Sequence, residues 1–159
     1  MSKKEIRNVP ASILQRLRDY SIRKHEDFGL TLANYSIERF LYRLGKSKYA
    51  DQFVLKGAQL FRLWFDTPFR PTRDLDLLRF GSADIKELIQ IFQEICRTTS
   101  DIQDGIEFLP ETVRGESIRE QAEYDGISVH NSGRYGNKRG GRCRSALQRR
   151  RRRTSRGSM

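Results

Sequence analysis

The chain has only two cysteines, Cys96 and Cys143, in 159 residues, which excludes a disulfide framework and any zinc-type spacing. It has only two histidines, and His25 has no ligand-type residue three or four positions further on, so it reads as a loop-end residue rather than a metal ligand. There is no apolar run of about eighteen residues, which excludes a membrane-spanning helix. The first ten residues, MSKKEIRNVP, lack the apolar segment of a secretory signal. A cytoplasmic protein with no membrane partner is the expectation. The last absence is local: no acidic residue occurs from Arg134 onward, where ten Arg and one Lys fall. With 31 basic and 20 acidic residues in total, the first 133 positions carry 20 of each. The body is neutral, and the whole net charge of +11 sits at the C-terminal end.

The length suits one domain, large enough to bury a core. Pro10 suits a first helical turn, and Ser12 with Gln15 has capping-box spacing, so the first helix starts near one or the other. Ile13, Leu14, Leu17 and Tyr20 supply its apolar face. A second helix is expected from about Thr31 to Leu44, bounded by Gly29 and Gly45, with Arg39 and Arg43 on a solvated face. A third is expected from a Ser82 or Asp84 cap to about Thr98. Its stripe of Ile85, Leu88, Ile89, Phe92, Ile95 and Cys96 recurs at helical spacing and reads as core. A short strand at 106–108, a mixed charged stretch at 111–123 and a strand from Tyr124 to Val129 follow.

The stretch FVLKGAQLFRLWFDTPFRPTRDLDLL, residues 53–78, organises the rest. It reads as a short strand, a Lys56-Gly57 turn, an aromatic helix from Ala58 to Phe65, a proline-bearing loop, and a second strand carrying Asp74-Leu75-Asp76. Alternate strand residues share a face, so Arg70, Thr72, Asp74 and Asp76 project together while Leu75 and Leu77 face the core. Two carboxylates on a strand beside a glycine turn suit magnesium, which takes one or two carboxylates plus phosphate oxygens. An isolated Asp-x-Asp is weak evidence, since acidic pairs are common at strand ends; the combination is stronger.

In Lys56-Gly57-Ala58 and Arg70-x-Thr72-x-Asp74-Leu75-Asp76 the chain resembles the AbiEii/AbiGii nucleotidyltransferase toxins, the toxin half of abortive-infection toxin–antitoxin systems that act in phage defence. These belong to the DNA polymerase β-like nucleotidyltransferase superfamily. The resemblance runs from about Asn8 to Arg139 and departs from the usual Lys-Gly-Gly only at the small Ala58. It implies an α/β (α+β) fold of N-terminal helices plus a small mixed sheet, incomplete at its C-terminal end. It implies transfer of a nucleotide from an NTP to an RNA (tRNA) or protein acceptor, with Mg2+ or Mn2+ as cofactor and a cognate antitoxin as partner. Asp74 and Asp76 would be catalytic metal ligands, with Lys56 a further catalytic candidate. Lys56, Gly57, Arg70, Thr72 and Arg73 would bind the nucleotide, although local pairing of Arg70 or Arg73 with Asp66 or Asp74 is an equally good account of those two.

The expected divisions are a helical segment at 1–50, a partial nucleotidyltransferase core at 51–139 and a disordered Arg-rich tail at 140–159, since blocks of like charge are usually disordered. That tail has three readings: an arm that binds nucleic acid without chemistry, a solvated extension, or translation out of frame. The third fits best, because the family's next strand, of the type Leu-Gln-Val-Asp-Ile-Gly-Phe-Gly-Asp-Ala-Val, brings a third acidic residue into the site. LQRRRR can be encoded by ctt cag cga cgc cgt cgt, and those codons read one base on give Phe-Ser-Asp-Ala-Val. A chain lacking that carboxylate is expected to be impaired in transfer.

Overall fold

The computed structural model describes residues 8–64, 72–82, 84–119 and 125–149. Helix α1 (Val9–Lys24) is capped by Asn8, whose side chain accepts from Ala11 N, so Ser12 does not provide the cap, while Pro10 lies in the first turn as expected. It ends on His25 in the left-handed region at φ 53°, as a loop-end residue, with its N–H donated to Ile22 O. Of its expected apolar face, Ile13 is buried and Tyr20 is exposed.

Helix α2 (Phe28–Lys46) is longer than the Gly29 and Gly45 boundaries predict. Asp27 caps it by accepting from Leu30 N, and both glycines lie inside the helix. A helical glycine costs about 1 kcal/mol relative to alanine; burial of Ile37, Phe40 and Leu44 outweighs that. Arg43 is also not on a solvated face. It is buried against Asp104, with Nη1 to Oδ2 at 2.8 Å and Nη2 to Oδ1 at 3.3 Å. Its guanidinium also donates to Ile106 O and lies over the Phe108 ring.

Strand β1 (Phe53–Lys56), helix α3 (Ala58–Trp64), strand β2 (Asp74–Arg79) and helix α4 (Ile85–Arg97) follow as the sequence predicts, with Asp84 capping α4. Leu88, Phe92, Ile95 and Cys96 are buried as core residues. Phe40 stacks on Phe92 at 5.2 Å and meets Phe108 edge-on at 5.7 Å. Among the described residues no helix is long and apolar enough to cross a membrane.

The C-terminal third is more regular than the sequence indicates. Strand β3 (Glu107–Arg119) includes most of the stretch expected to be mixed, and β4 (Asp125–Tyr135) continues six residues past Val129. Pro110 lies where the β3–β4 register shifts between Leu109 and Arg114, a place and an edge strand that tolerate a missing N–H. Thr112 Oγ1 bridges the irregularity, donating to Leu109 O and accepting from Ser132 N.

The largest correction concerns residues 140–149. They are not a disordered tail but most of strand β5 (Lys138–Arg149), which turns back from β4 at Gly136-Asn137. The five strands form one mixed sheet of order β1-β2-β5-β4-β3, parallel only at β2–β5. The remaining expected tail, 150–159, lies outside the described residues. Backbone pairing is sequence-tolerant: β5 finds partners on both sides, and its Ser145 and Leu147 are buried beside Leu75 and Leu77 of β2. That saturation overrides the disorder expected from charge alone. The helices α2 and α4 cover the face carrying Leu75, Leu77, Val113, Ile127 and Val129. At Gly115 a Cβ would meet Ile85 Cγ2 at 2.9 Å, so α4 packs directly on the β3 backbone.

Two predictions concern stability. Asp104→Ala leaves the Arg43 guanidinium buried without its carboxylate and should cost about 3–5 kcal/mol in urea unfolding. The Arg43→Met/Asp104→Leu double variant should recover part of that loss. Separately, burial pushes the Cys96 thiol up to about 11, opposed by the Asn131 Nδ2 bond at 3.5 Å. Burial also raises the Tyr135 phenol. Above about pH 9 the unfolded chain releases the thiol proton while the folded chain keeps it, so stability falls as pH rises toward 11. The slope approaches ~1.4 kcal/mol per pH unit for the thiol. Denaturation at pH 8 and 10.5 should show a shallower fall in Cys96→Ala than in the parent chain.

Candidate active site

Because β2 alternates, Leu75 and Leu77 enter the core at 0% and 1% exposure, and Asp74 and Asp76 stand on the opposite face. Asp74 is exposed and Asp76 half-buried. The antiparallel register sets Lys56 at the end of β1 directly beside Asp76. Gly57 follows with φ +69°, a conformation that L side chains rarely adopt. A Cβ at Gly57 would fall 2.1 Å from Asp76 Oδ2 and 2.9 Å from its Cγ. The Asp76 carboxylate therefore lies against bare backbone, in space that only glycine leaves open.

The structure thus brings Lys56, Gly57, Asp76 and Asp74 together. Thr72 is near but occupied locally: its hydroxyl donates to Asp74 O and its oxygen accepts from Asp74 N, at 3.3 and 3.2 Å, a turn that sets the start of β2. Among the described residues, Arg73 does not pair with Asp74. Its Nη2 lies 2.9 Å from Oδ1 of Asp27, the cap of α2, and both side chains are exposed. Arg70 lies outside the described residues, as does Asp66.

Asp27 is the residue that sequence reasoning missed. Its position before Phe28-Gly-Leu is a legible capping signal, but no local pattern announces a partner 46 residues away. The open face of the sheet continues across β4 with Ser128 and His130, joined at 3.0 Å between Oγ and Nε2, and across β3 with Glu116.

Compared with protein families, residues 39–148 match the family described as "Nucleotidyl transferase AbiEii toxin, Type IV TA system". The matched span is more than two thirds of the chain and contains every residue of the Lys56-to-Asp76 site. This chain belongs to the AbiEii family. It is therefore a member of a nucleotidyltransferase toxin family of type IV toxin–antitoxin systems, for which an NTP substrate and a cognate antitoxin are the family's partners. Comparison with curated proteins gives no match. The AbiEii match ends at Gln148, inside β5, and so runs beyond Gly140, where the expected break lies.

Two hard carboxylate oxygen donors on one strand face, with a glycine cradle against one of them, fit a magnesium or manganese ion completed by phosphate oxygens. Among the described residues no group of three or more His, Cys, Asp or Glu is placed to hold a metal. Beside β2, β5 sets Arg144, Ala146 and Gln148 in register with Asp74, Asp76 and Leu78, with no acid among them. Glu116 is three strands from Asp76, about 14 Å at the usual strand spacing, too far to share an ion.

Gly57→Ala should force the Asp76 carboxylate aside and strain the turn. The expected outcome is a loss of about 1–2 kcal/mol of stability and at least tenfold weaker magnesium-dependent nucleotide binding. Denaturation and equilibrium dialysis with Mg-NTP check it; unchanged binding would remove Gly57 from the site.

Proposed function

We propose that this chain holds a metal–nucleoside triphosphate on the open face of its sheet, as the nucleotide-binding half of an AbiEii-type nucleotidyltransferase acting on an RNA acceptor in the cytoplasm. The observation that carries this reading is the fit of the Asp76 carboxylate against Gly57, with Asp74 two residues away on the same face. Asp74 and Asp76 would be the metal ligands, and the bound ion would supply charge neutralisation on the phosphates and activation of the acceptor hydroxyl. Lys56, beside Asp76, would add positive charge toward the triphosphate. Gly57 would leave the backbone bare where phosphate oxygens approach. Arg70 and Thr72 complete the proposed nucleotide-binding set. Arg73 acts there once it is released from Asp27, a release that costs little because exposed ion pairs contribute only about 0–1 kcal/mol.

The acceptor side is incomplete. With Arg144, Ala146 and Gln148 alongside the carboxylate strand, no third acid stands beside the pair among the described residues, and loss of one member of a catalytic set usually costs several powers of ten in rate. We infer that nucleotide binding outlasts transfer in this chain. An out-of-frame origin for the strand would account for the abrupt loss of acids from Arg134 onward. Sequencing the locus tests that: an overlapping frame that encodes an acidic β5 supports it.

Magnesium-dependent NTP binding, measured by dialysis, should fall at least tenfold in Asp74→Asn and in Asp76→Asn while urea stability is retained. Labelling of bulk tRNA from radiolabelled NTP should be near background for this chain and should rise by orders of magnitude in a version with the downstream frame restored. NTP binding indifferent to both aspartate variants would overturn the proposal.

A further inference from the structure

Away from the carboxylates, the N-terminal halves of α1 and α2 and the β4–β5 turn enclose a cleft of about 540 Å³. Its described wall includes Pro10, Gln15, Arg18, Phe28, Tyr135 and Lys138, with no carboxylate among the described residues. Arg18 and Lys138 are exposed cations. The Arg18 guanidinium is held over the Phe28 ring at 5.2 Å from its centroid. Tyr135 closes the floor: it is 2% exposed, and its hydroxyl lies 3.2 Å from Ser36 Oγ. An arginine stacked on an aromatic ring, flanked by a second cation and amide side chains, matches a ligand with a flat aromatic face and an anionic linkage. Nucleobases stack on such platforms while cations meet the adjoining phosphates.

The cleft is also tied to the carboxylate strand. Phe28 follows Asp27, Arg73 precedes Asp74, and Asp27 and Arg73 are joined at 2.9 Å. The stacking platform and the first carboxylate therefore lie one residue from either end of a single ion pair.

We propose that this cleft is a nucleobase-phosphate subsite, taking one nucleotide of a single-stranded RNA acceptor and linked to the carboxylate strand through the Asp27–Arg73 pair. Arg18 and Phe28 form the stacking platform, and Lys138 meets a phosphate. The proposal rests on the nucleotidyltransferase reading for its choice of occupant. The same chemistry belongs to the base of the incoming NTP, so the test separates the two sources.

The experiment measures binding of the full chain at 150 mM salt to three probes: a labelled single-stranded RNA hexamer, an abasic strand of the same length, and Mg-ATP. The variants are Arg18→Ala, Lys138→Ala and Asp74→Asn, with circular dichroism and thermal melting confirming that each folds. Arg18→Ala should weaken the RNA hexamer roughly tenfold or more, the usual scale for one lost stacking contact, and leave the abasic strand unchanged. Lys138→Ala should weaken both strands. A loss in Arg18→Ala confined to Mg-ATP would identify the occupant as the incoming nucleotide. Equal affinities of Arg18→Ala and the parent chain for both the hexamer and Mg-ATP would overturn the subsite. Asp74→Asn reads the other question: if it leaves Mg-ATP binding intact, the carboxylate site fails while the result with Arg18→Ala still stands by itself.

Discussion

The pairing of β2 with β5 is the contact on which the architecture depends. It is the one parallel ladder in the sheet, running from Asp74↔Arg144 to Arg79↔Arg149. Without it the chain holds two separate antiparallel pieces, β1–β2 and β3–β4–β5, and the two-stranded one is marginal by itself. With it, Leu75, Leu77, Ser145, Leu147, Ile127 and Val129 form a continuous buried surface for α2 and α4. The polar alternates of the same strands are gathered onto the other face. One ladder therefore fixes both the core and the position of the carboxylates.

That arrangement separates two kinds of charge. Arg43 and Asp104 are buried, bidentate and locked to the backbone at Ile106, which anchors the segment leading into β3. Removing one of them leaves an uncompensated ion in a low-dielectric setting. Asp27 and Arg73 are exposed at 65% and 64%, where water screens the attraction. The first pair is a structural pin. The second contributes little stability, and it links the α1–α2 cleft to the start of the carboxylate strand.

The strand beside the carboxylates gives the chain its functional asymmetry. A residue on β5 in register with Asp74 or Asp76 is one strand spacing away, about 4.8 Å, within reach of a shared ion. Glu116, on the same face, is two further strands away. The residues of β5 aligned with the carboxylate strand on that face are Arg144, Ala146 and Gln148. Among the described residues, the strand next to the carboxylates therefore adds no acid to the pair on β2.

The sequence by itself determined β1, α3 and β2 of the unit from Phe53 to Leu78, the α4 stripe and the burial of Cys96. In each case a local period or a local turn carries the information: alternation for β2, helical spacing for α4, a Lys-Gly break before α3. It also determined that Lys56, Gly57, Asp74 and Asp76 come together, since they lie within one short span and the same-face placement of the two aspartates follows from strand geometry. Tertiary structure decided the rest. The inclusion of Gly29 and Gly45 in α2 depended on packing that outweighs propensity, and the burial of Arg43 depended on Asp104, 61 residues away. The order of residues 140–149 depended on two partner strands offering their backbone groups, a benefit that composition does not register. The contact of Asp76 with Gly57 and that of Arg73 with Asp27 were likewise set by the fold, because the distance between residues remote in sequence is a property of the packed chain and not of any window of it.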